Sequence, residues 1–281
     1  MRPETGDRQV TLIMENPTRK ALLDDLYNRY NRREYVHPDP LEFLYGYEDV
    51  RDREIVALVA SALAYGRVRQ ILKSVAGVLE KMGDPLRFLA ESSHTALTET
   101  FEGFKHRFTT GEELALMLGG AKDAIERYGS LEACFVSGLA ADDETVFGAL
   151  GRFAEAINAP CESRPTSLVP LVAAGSACKR LHLFLRWMVR FDEVDPGGWE
   201  RVPRRKLVVP LDTHMFRICR ALGMTSRNQA DGKAAIEITR AFGVMEPEDP
   251  VKYDFALTRL GIRDELDPAE FLSCCARAEE S

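Results

Sequence analysis

Between Val68 and Met82 the apolar residues Val68, Ile71, Leu72, Val75, Val78, Leu79 and Met82 return every three or four positions, the period of a helix with one buried face. Gly83-Asp84-Pro85 then stops it. The same period recurs along most of the chain. EIVALVASALAY (54–65) is apolar on nearly every side, which predicts a helix central in the core. Thr110-Gly111-Glu112-Glu113 has the form of a capping box ahead of Leu114, Leu118, Ala121 and Ile125. Val146, Leu150, Phe153 and Ile157 form a further stripe, closed by Pro160. Helices also fit 17–32, 176–191, 213–222, 232–242 and 250–260, the last with Asp249 as cap and Pro250 at its first position. There are no alternating strand patterns, repeats or low-complexity tracts. The chain reads as all-α, with linkers expected at 159–174 and 192–206, which are rich in Pro, Gly or charge.

With 281 residues the chain can bury one large or two modest cores, and 45 % hydrophobic against 29 % charged residues fits an ordinary globular protein. No apolar run reaches the ~20 residues of a membrane helix. MRPETGDRQVT lacks a signal-peptide stretch, so a cytoplasmic location without membrane contact is expected. Cysteines 134, 161, 178, 219, 274 and 275 show no CxxC pair or His/Cys ligand spacing. A disulfide framework, a zinc site and an iron–sulfur cluster are therefore not expected, and no metal or organic cofactor is implied. The net charge of −7 is unevenly spread: residues 175–220 hold ten Lys/Arg against five Asp/Glu, which leaves −12 for the rest. An acidic body with one basic segment suits a local polyanion contact, and equally a solvated basic face.

Two stretches carry the chemistry. In LVVPLDTHMFRICRALG (207–223), Asp212 is placed to cap a helix whose Met215, Ile218, Cys219 and Leu222 share one face. Capping requires neither His214 nor the upstream Arg204-Arg205-Lys206. In GSACKRLHLFLRWMVR (175–190), Ser176 can cap, Leu181, Phe184, Leu185 and Met188 line one face, and Lys179, Arg186 and Arg190 are expected on the other. Lys179 falls in the first turn, where the helix dipole disfavours an ammonium and so favours a nucleophilic amine.

LDTHMFRICRALG closely resembles the V-D-T-H-hydrophobic-x-R-V-x-x-R-L-G segment of the helix-hairpin-helix (HhH-GPD) superfamily of base-excision DNA glycosylases, whose aspartate is the catalytic carboxylate. AAGSACKRL (173–181) resembles that family's hairpin, L-P-G-x-G-x-K-T-A, with Gly175 at the first glycine and Lys179 at the nucleophilic lysine. Ala177 stands at the second glycine, and Arg180-Leu181 replace Thr-Ala. VASALAYGRVRQI (59–71) and KYDFALTRLG (252–261) resemble further helices of the fold, and Leu63 stands where some relatives carry a polar gap-filling residue. Lys179 and Asp212 are 33 residues apart, a long spacing shared with the archaeal 8-oxoguanine glycosylases. Taken whole, the chain resembles a bacterial family of unknown function tied to this superfamily.

The resemblance implies a two-lobed helical fold: a segment 1–50 packing with a C-terminal lobe 206–281, and a central lobe 51–205 ending in the hairpin. Asp212 would face Lys179 across a cleft. It further implies a monomer acting on double-stranded DNA with a damaged base, 8-oxoguanine first among them. Lys179 would form a Schiff base and Asp212 would stabilise the sugar cation. A flipped base would lie among Tyr65, Trp187, His214 and Phe216. Gly175, Ser176, Arg180, Arg186, Arg190, Arg204, Arg205 and Lys206 would hold phosphates. An enzyme for oxidised pyrimidines or abasic sites, an inactive DNA- or RNA-binding module, and a helical adaptor remain open alternatives.

Overall fold

The computed structural model describes residues 17–161, 166–172, 175–260 and 268–277. These are mostly helical, as the periodicity requires, with one two-stranded hairpin among them. Two compact units emerge. The first gathers the described residues within Met1–Tyr35, Gly175–His182 and Pro203–Ser281, and the second those within Val36–Ala174 and Leu183–Val202. The breaks fall at 35/36 and 202/203, against the expected 50 and 205. A 3₁₀ helix, Pro40–Gly46, buries Leu41 and Leu44 within the second unit, and the hairpin segment 175–182 groups with the C-terminal residues.

Helix α1 (Pro17–Tyr30) belongs to the first unit; in the second the core helix is α2 (Val50–Ala62), capped by Asp49. Residues Glu54–Ala62 are buried without a break, as a helix apolar on all sides demands. The one charge in that run, Glu54, is satisfied. Its carboxylate accepts from Leu131 N (2.9 Å) and Glu132 N (3.1 Å), at the start of α7 (Leu131–Ser137), and from Trp199 Nε1 (3.0 Å). Helix α3 spans Val68–Met82 and buries Ile71, Val75, Val78, Leu79 and Met82. Two short helices, α4 (Pro85–Glu91) and α5 (His94–Thr100), are capped by Asp84 and Ser93 and are too brief to announce themselves by period. Strands β1 (Lys105–His106) and β2 (Thr109–Thr110) form the hairpin that the absence of alternating patterns did not predict. Helix α6 (Gly111–Tyr128) opens on the expected capping box, and α8 (Phe147–Ile157) buries Leu150, Phe153 and Ile157. Gly120 permits the close approach of α6 and α8, since a Cβ there would lie 1.8 Å from the Ile157 carbonyl oxygen. Phe135, Phe153, Phe184 and Trp199 then build one aromatic cluster.

The first unit contains α1 (Pro17–Tyr30), α10 (Thr213–Ala221), α11 (Gly232–Met245), α12 (Asp254–Arg259) and α13 (Pro268–Arg277). Helix α12 packs on α1 and α10. It starts later than expected, with Tyr253 rather than Asp249 at its cap. The backbone from 246 to 254 runs in successive three-residue turns, while Lys252 and Tyr253 reach Asp24 (2.7 and 2.8 Å) and Glu246 (2.8 and 3.1 Å).

The units divide at 174/175 and at 202/203, at the end of one expected linker and inside the other, but the described parts of both stretches are packed. Asp195, Val194, Trp199 and Val202 are buried, so 192–202 is a packed loop of the second unit. In the other stretch Leu168 and Val169 are buried, and the Asn158 amide ties Val169 O (2.9 Å) and Thr166 N (2.8 Å) to the end of α8. Helix α9 (Lys179–Val189) is shorter than 176–191 and buried from Phe184 onwards.

His182 in α9 is buried, and burial alone pushes its imidazole down to about 3. An unfolded histidine titrates near ~6.5, so below that pH the unfolded chain takes up a proton that the folded chain refuses. Stability is expected to fall as pH drops from ~6.5 towards 3, by at most about 1.4 kcal/mol per pH unit from this group. Urea unfolding at pH 7 and pH 5 checks this: wild type should lose up to about 2 kcal/mol more than His182→Leu. Equal losses in both proteins would contradict it.

Candidate active site

The segment Leu207–Leu211 enters as buried, extended chain, anchored where Val209 N donates to Thr239 Oγ1 (3.0 Å) on α11. It delivers Asp212 to the N-cap of α10. Asp212 Oδ1 accepts from His214 N (2.9 Å) and Met215 N (2.8 Å), filling two of the donors that a helix start leaves unpaired. The other oxygen, Oδ2, stands 3.0 Å from Lys179 Nζ. One carboxylate thus caps a helix and holds a lysine with separate oxygens. Both side chains keep about a third of their surface open, 35 % for Lys179 and 31 % for Asp212. They belong to the same unit, so the expected placement on opposite lobes is corrected.

Lys179 is the first residue of α9, and the loop before it is built to fix that position. Gly175 takes φ 74° with open space where a Cβ would go, so glycine is needed there for its backbone angle. Gly175 O accepts from Gly232 N (3.0 Å), and Ser176 bridges Asp231 backbone to backbone. Asp231 in turn caps α11 through Ala234 N (2.8 Å) and pairs with Arg227 (2.6 Å). Ser176 Oγ accepts from Cys178 N (3.2 Å), and Cys178 sits at φ 45°, a strained angle for a residue with a Cβ. The turn that presents Lys179 is therefore held at both ends.

Burial raises the Asp212 carboxyl, but Lys179 and the N–H groups of Met215 and His214 outweigh it and bring it below the ordinary carboxylate range. Asp212 is thus ionised at neutral pH. An ionised carboxylate beside an amine can stabilise a neighbouring cation and exchange a proton with the lysine.

The remaining expected site residues divide sharply. Gly175, Ser176, Arg204 and Arg205 are exposed, and Arg180 and His214 are half-buried. The His214 Nε2 is shielded from solvent and has no hydrogen-bond partner among the described residues. Phe216 is buried on α10, in the core of the first unit, and is no open pocket wall. Lys206 is buried as well, against its expected place on a phosphate face. Arg186 and Arg190 are corrected most clearly. Both are buried in the second unit, where Asp195 accepts from Arg186 Nε (3.2 Å) and from Arg190 Nη1, and Asp192 pairs with Arg190 Nη2 (2.9 Å). Burial pushes the Asp195 carboxyl up to about 6 against the pull of the two guanidinium groups. Two cations wrapped around a buried carboxylate are unable to clasp DNA phosphates as well. Trp187 is likewise buried in that unit and lines no open pocket. Tyr65 is half-buried and also belongs to the second unit, its hydroxyl engaged by Thr109 Oγ1 (2.6 Å). Lys179 and Asp212 meet within the first unit, with His214 beside the latter in sequence, whereas Tyr65, Trp187, Arg186 and Arg190 belong to the second unit. No group of three or more His, Cys, Asp or Glu residues among the described residues could hold a metal ion. No helix among them is long and apolar enough to cross a membrane.

Residues 39–263 match the family described as Protein of unknown function (DUF2400), a span that includes both Lys179 and Asp212. No curated protein and no solved structure matches the chain. The match covers most of the chain, which belongs to this family.

Proposed function

We propose that this member of the DUF2400 family is a DNA glycosylase with AP-lyase activity, acting on an oxidised base, 8-oxoguanine foremost. The observation that carries the reading is the 3.0 Å approach of Lys179 Nζ to Asp212 Oδ2 on two separately anchored helix starts, both open to solvent. The resemblance of the surrounding residues to the HhH-GPD superfamily supplies the reaction.

In that reaction Lys179 first gives up a proton and its lone pair attacks the anomeric carbon as the bond to the damaged base breaks. The base leaves with the bonding electrons and gains a proton. Asp212 stabilises the cationic sugar during the exchange, a charge that a fixed carboxylate in a partly desolvated site stabilises well. Loss of the ring oxygen from the anomeric carbon gives the Schiff base, which acidifies the adjacent carbon and permits elimination of the 3′ phosphate. At rest the Lys179 amine is held 3.0 Å from the Asp212 carboxylate and is not aimed at a substrate. Substrate binding therefore has to lengthen the Lys179–Asp212 contact or drain the proton.

A second reading, a nucleic-acid-binding module without catalysis, is favoured by one observation: the hairpin that presents Lys179 departs from the superfamily pattern, with a buried Ala177 at its second glycine. Duplexes with a single 8-oxoguanine opposite each of the four bases separate the two. Base release followed by strand scission is expected from wild type, and neither from Lys179→Gln. Tight binding without base release from any duplex, including one carrying an oxidised pyrimidine or an abasic site, would overturn the catalytic reading.

A further inference from the structure

The second unit presents an aromatic ring that its core does not use. Phe108 lies at the turn between β1 and β2 and is 64 % exposed. One face of its ring packs on Tyr65, with centroids 5.0 Å apart and planes 27° from parallel. Tyr65 in turn meets His106 edge-on at 4.7 Å. The stack is fixed from below. The Tyr65 hydroxyl lies 2.6 Å from Thr109 Oγ1 and donates to the His106 carbonyl at 2.9 Å. The buried His106 imidazole lies between Ser74 Oγ (2.9 Å) and the Tyr65 carbonyl (3.0 Å). A carbonyl can only accept, so Nε2 carries the proton and Nδ1 accepts from the Ser74 hydroxyl. The ring that faces solvent is therefore pre-set by a network that is itself satisfied.

The two stretches that build it are themselves cationic, with Glu102, Glu112 and Glu113 just beyond them in the chain. Residues 65–70 and 105–110 contain Arg67, Arg69, Lys105 and Arg107, with no Asp or Glu. All four cations are exposed. Arg107 stands at φ 54°, and its stem lies over Gly66, where a Cβ would come within 2.8 Å of Arg107 Cδ. The glycine thus admits the arginine beside the Tyr65 loop. An open ring face with four exposed cations on the two stretches that carry it suits the two needs of a single nucleic-acid strand, a surface for a base and charge for its phosphates.

We propose that Phe108, supported by Tyr65, is a stacking site for an unpaired nucleobase, with Arg67, Arg69, Lys105 and Arg107 holding the flanking phosphates. The site lies wholly in the second unit and does not rest on the chemistry of Lys179. Base stacking on an aromatic face tolerates any base, so the site reads unpairedness and not sequence.

Fluorescence anisotropy with the full chain tests this, using a labelled oligodeoxythymidylate of about 15 nucleotides and a perfect duplex of equal length. Wild type is expected to bind the single strand more tightly than the duplex. Phe108→Leu should weaken single-strand binding on the order of tenfold, with Phe108→Tyr within about twofold of wild type. The double variant Arg67→Gln/Arg69→Gln should lessen the slope of log affinity against log salt by about 1 to 2. Lys179→Gln is assayed alongside, so that any contribution of the Lys179–Asp212 site is read separately from that of Phe108. Unfolding midpoints of the variants confirm folding, and Phe108→Tyr keeps the test open if Phe108→Leu does not fold. Single-strand affinity unchanged in Phe108→Leu, equal loss on duplex and single strand, or loss only in Lys179→Gln would overturn the site.

Discussion

Asp212→Asn is expected to lower single-turnover strand cleavage by about 10²- to 10⁴-fold while leaving the protein folded. Asparagine caps helices nearly as well as aspartate, so His214 N and Met215 N keep an acceptor and the unfolding midpoint should hardly move. What the variant lacks is the negative charge beside Lys179. Asp212→Ala removes both functions and should cost about 1 kcal/mol of stability through the lost cap in addition to the lost activity. The pair of variants separates a structural aspartate from a chemical one. Cleavage within about threefold of wild type in Asp212→Asn would leave the residue as a cap only, since an electrostatic role of this kind is worth far more.

The largest effect on stability is expected at Asp195. Asp195→Ala leaves Arg186 and Arg190 buried without their shared carboxylate, and breaking a buried pair from one side costs about 3–5 kcal/mol. The loop also hangs on backbone bonds from Gly197 N to Trp187 O (3.0 Å) and Trp199 N to Met188 O (2.8 Å), which should keep it from unravelling outright. Replacing Arg186, Arg190 and Asp195 together, as Arg186→Met/Arg190→Met/Asp195→Leu, should restore much of the loss, because the one partner left, Asp192, is partly open to solvent and keeps the bonds from Val194 N and Asp195 N. Urea unfolding measures both. A cost below about 1 kcal/mol for Asp195→Ala would mean that water or other groups already shield the two arginines.

The features legible in the sequence were those that a local rule decides. Val68–Met82 declares its period over four turns, and the helix is found at those bounds. Thr110 and Glu113 form a reciprocal cap that needs no distant partner. Asp212 announces a helix start for the same reason, and its meeting with Lys179 followed from the resemblance of the two stretches rather than from either stretch alone. The misreadings share a cause in tertiary structure. Arg186 and Arg190 look like a solvent face by helical angle, and only the fold brings Asp195 beneath them. The stretch 192–206 looks like a linker by composition, yet Trp199 donates to Glu54, 145 positions away. Asp249-Pro250 satisfies the rules for a helix start, but Lys252 and Tyr253 are drawn to Asp24 and Glu246 and the helix begins later. Phe108 gave one usable signal, an aromatic between Arg107 and a Thr pair, in a hairpin too short for alternation to register.

The most direct measurement is borohydride trapping on a labelled duplex containing 8-oxoguanine, with wild type and Lys179→Gln side by side. Borohydride reduces a Schiff base to a stable amine, so a nucleophilic lysine leaves a covalent protein–DNA band. The expected result is a band with wild type that is absent with Lys179→Gln, and a tryptic map that places the adduct on Lys179. A trapped band of equal intensity in Lys179→Gln, or no band on this duplex and on one with an abasic site, would contradict the Schiff-base chemistry assigned to Lys179 and Asp212.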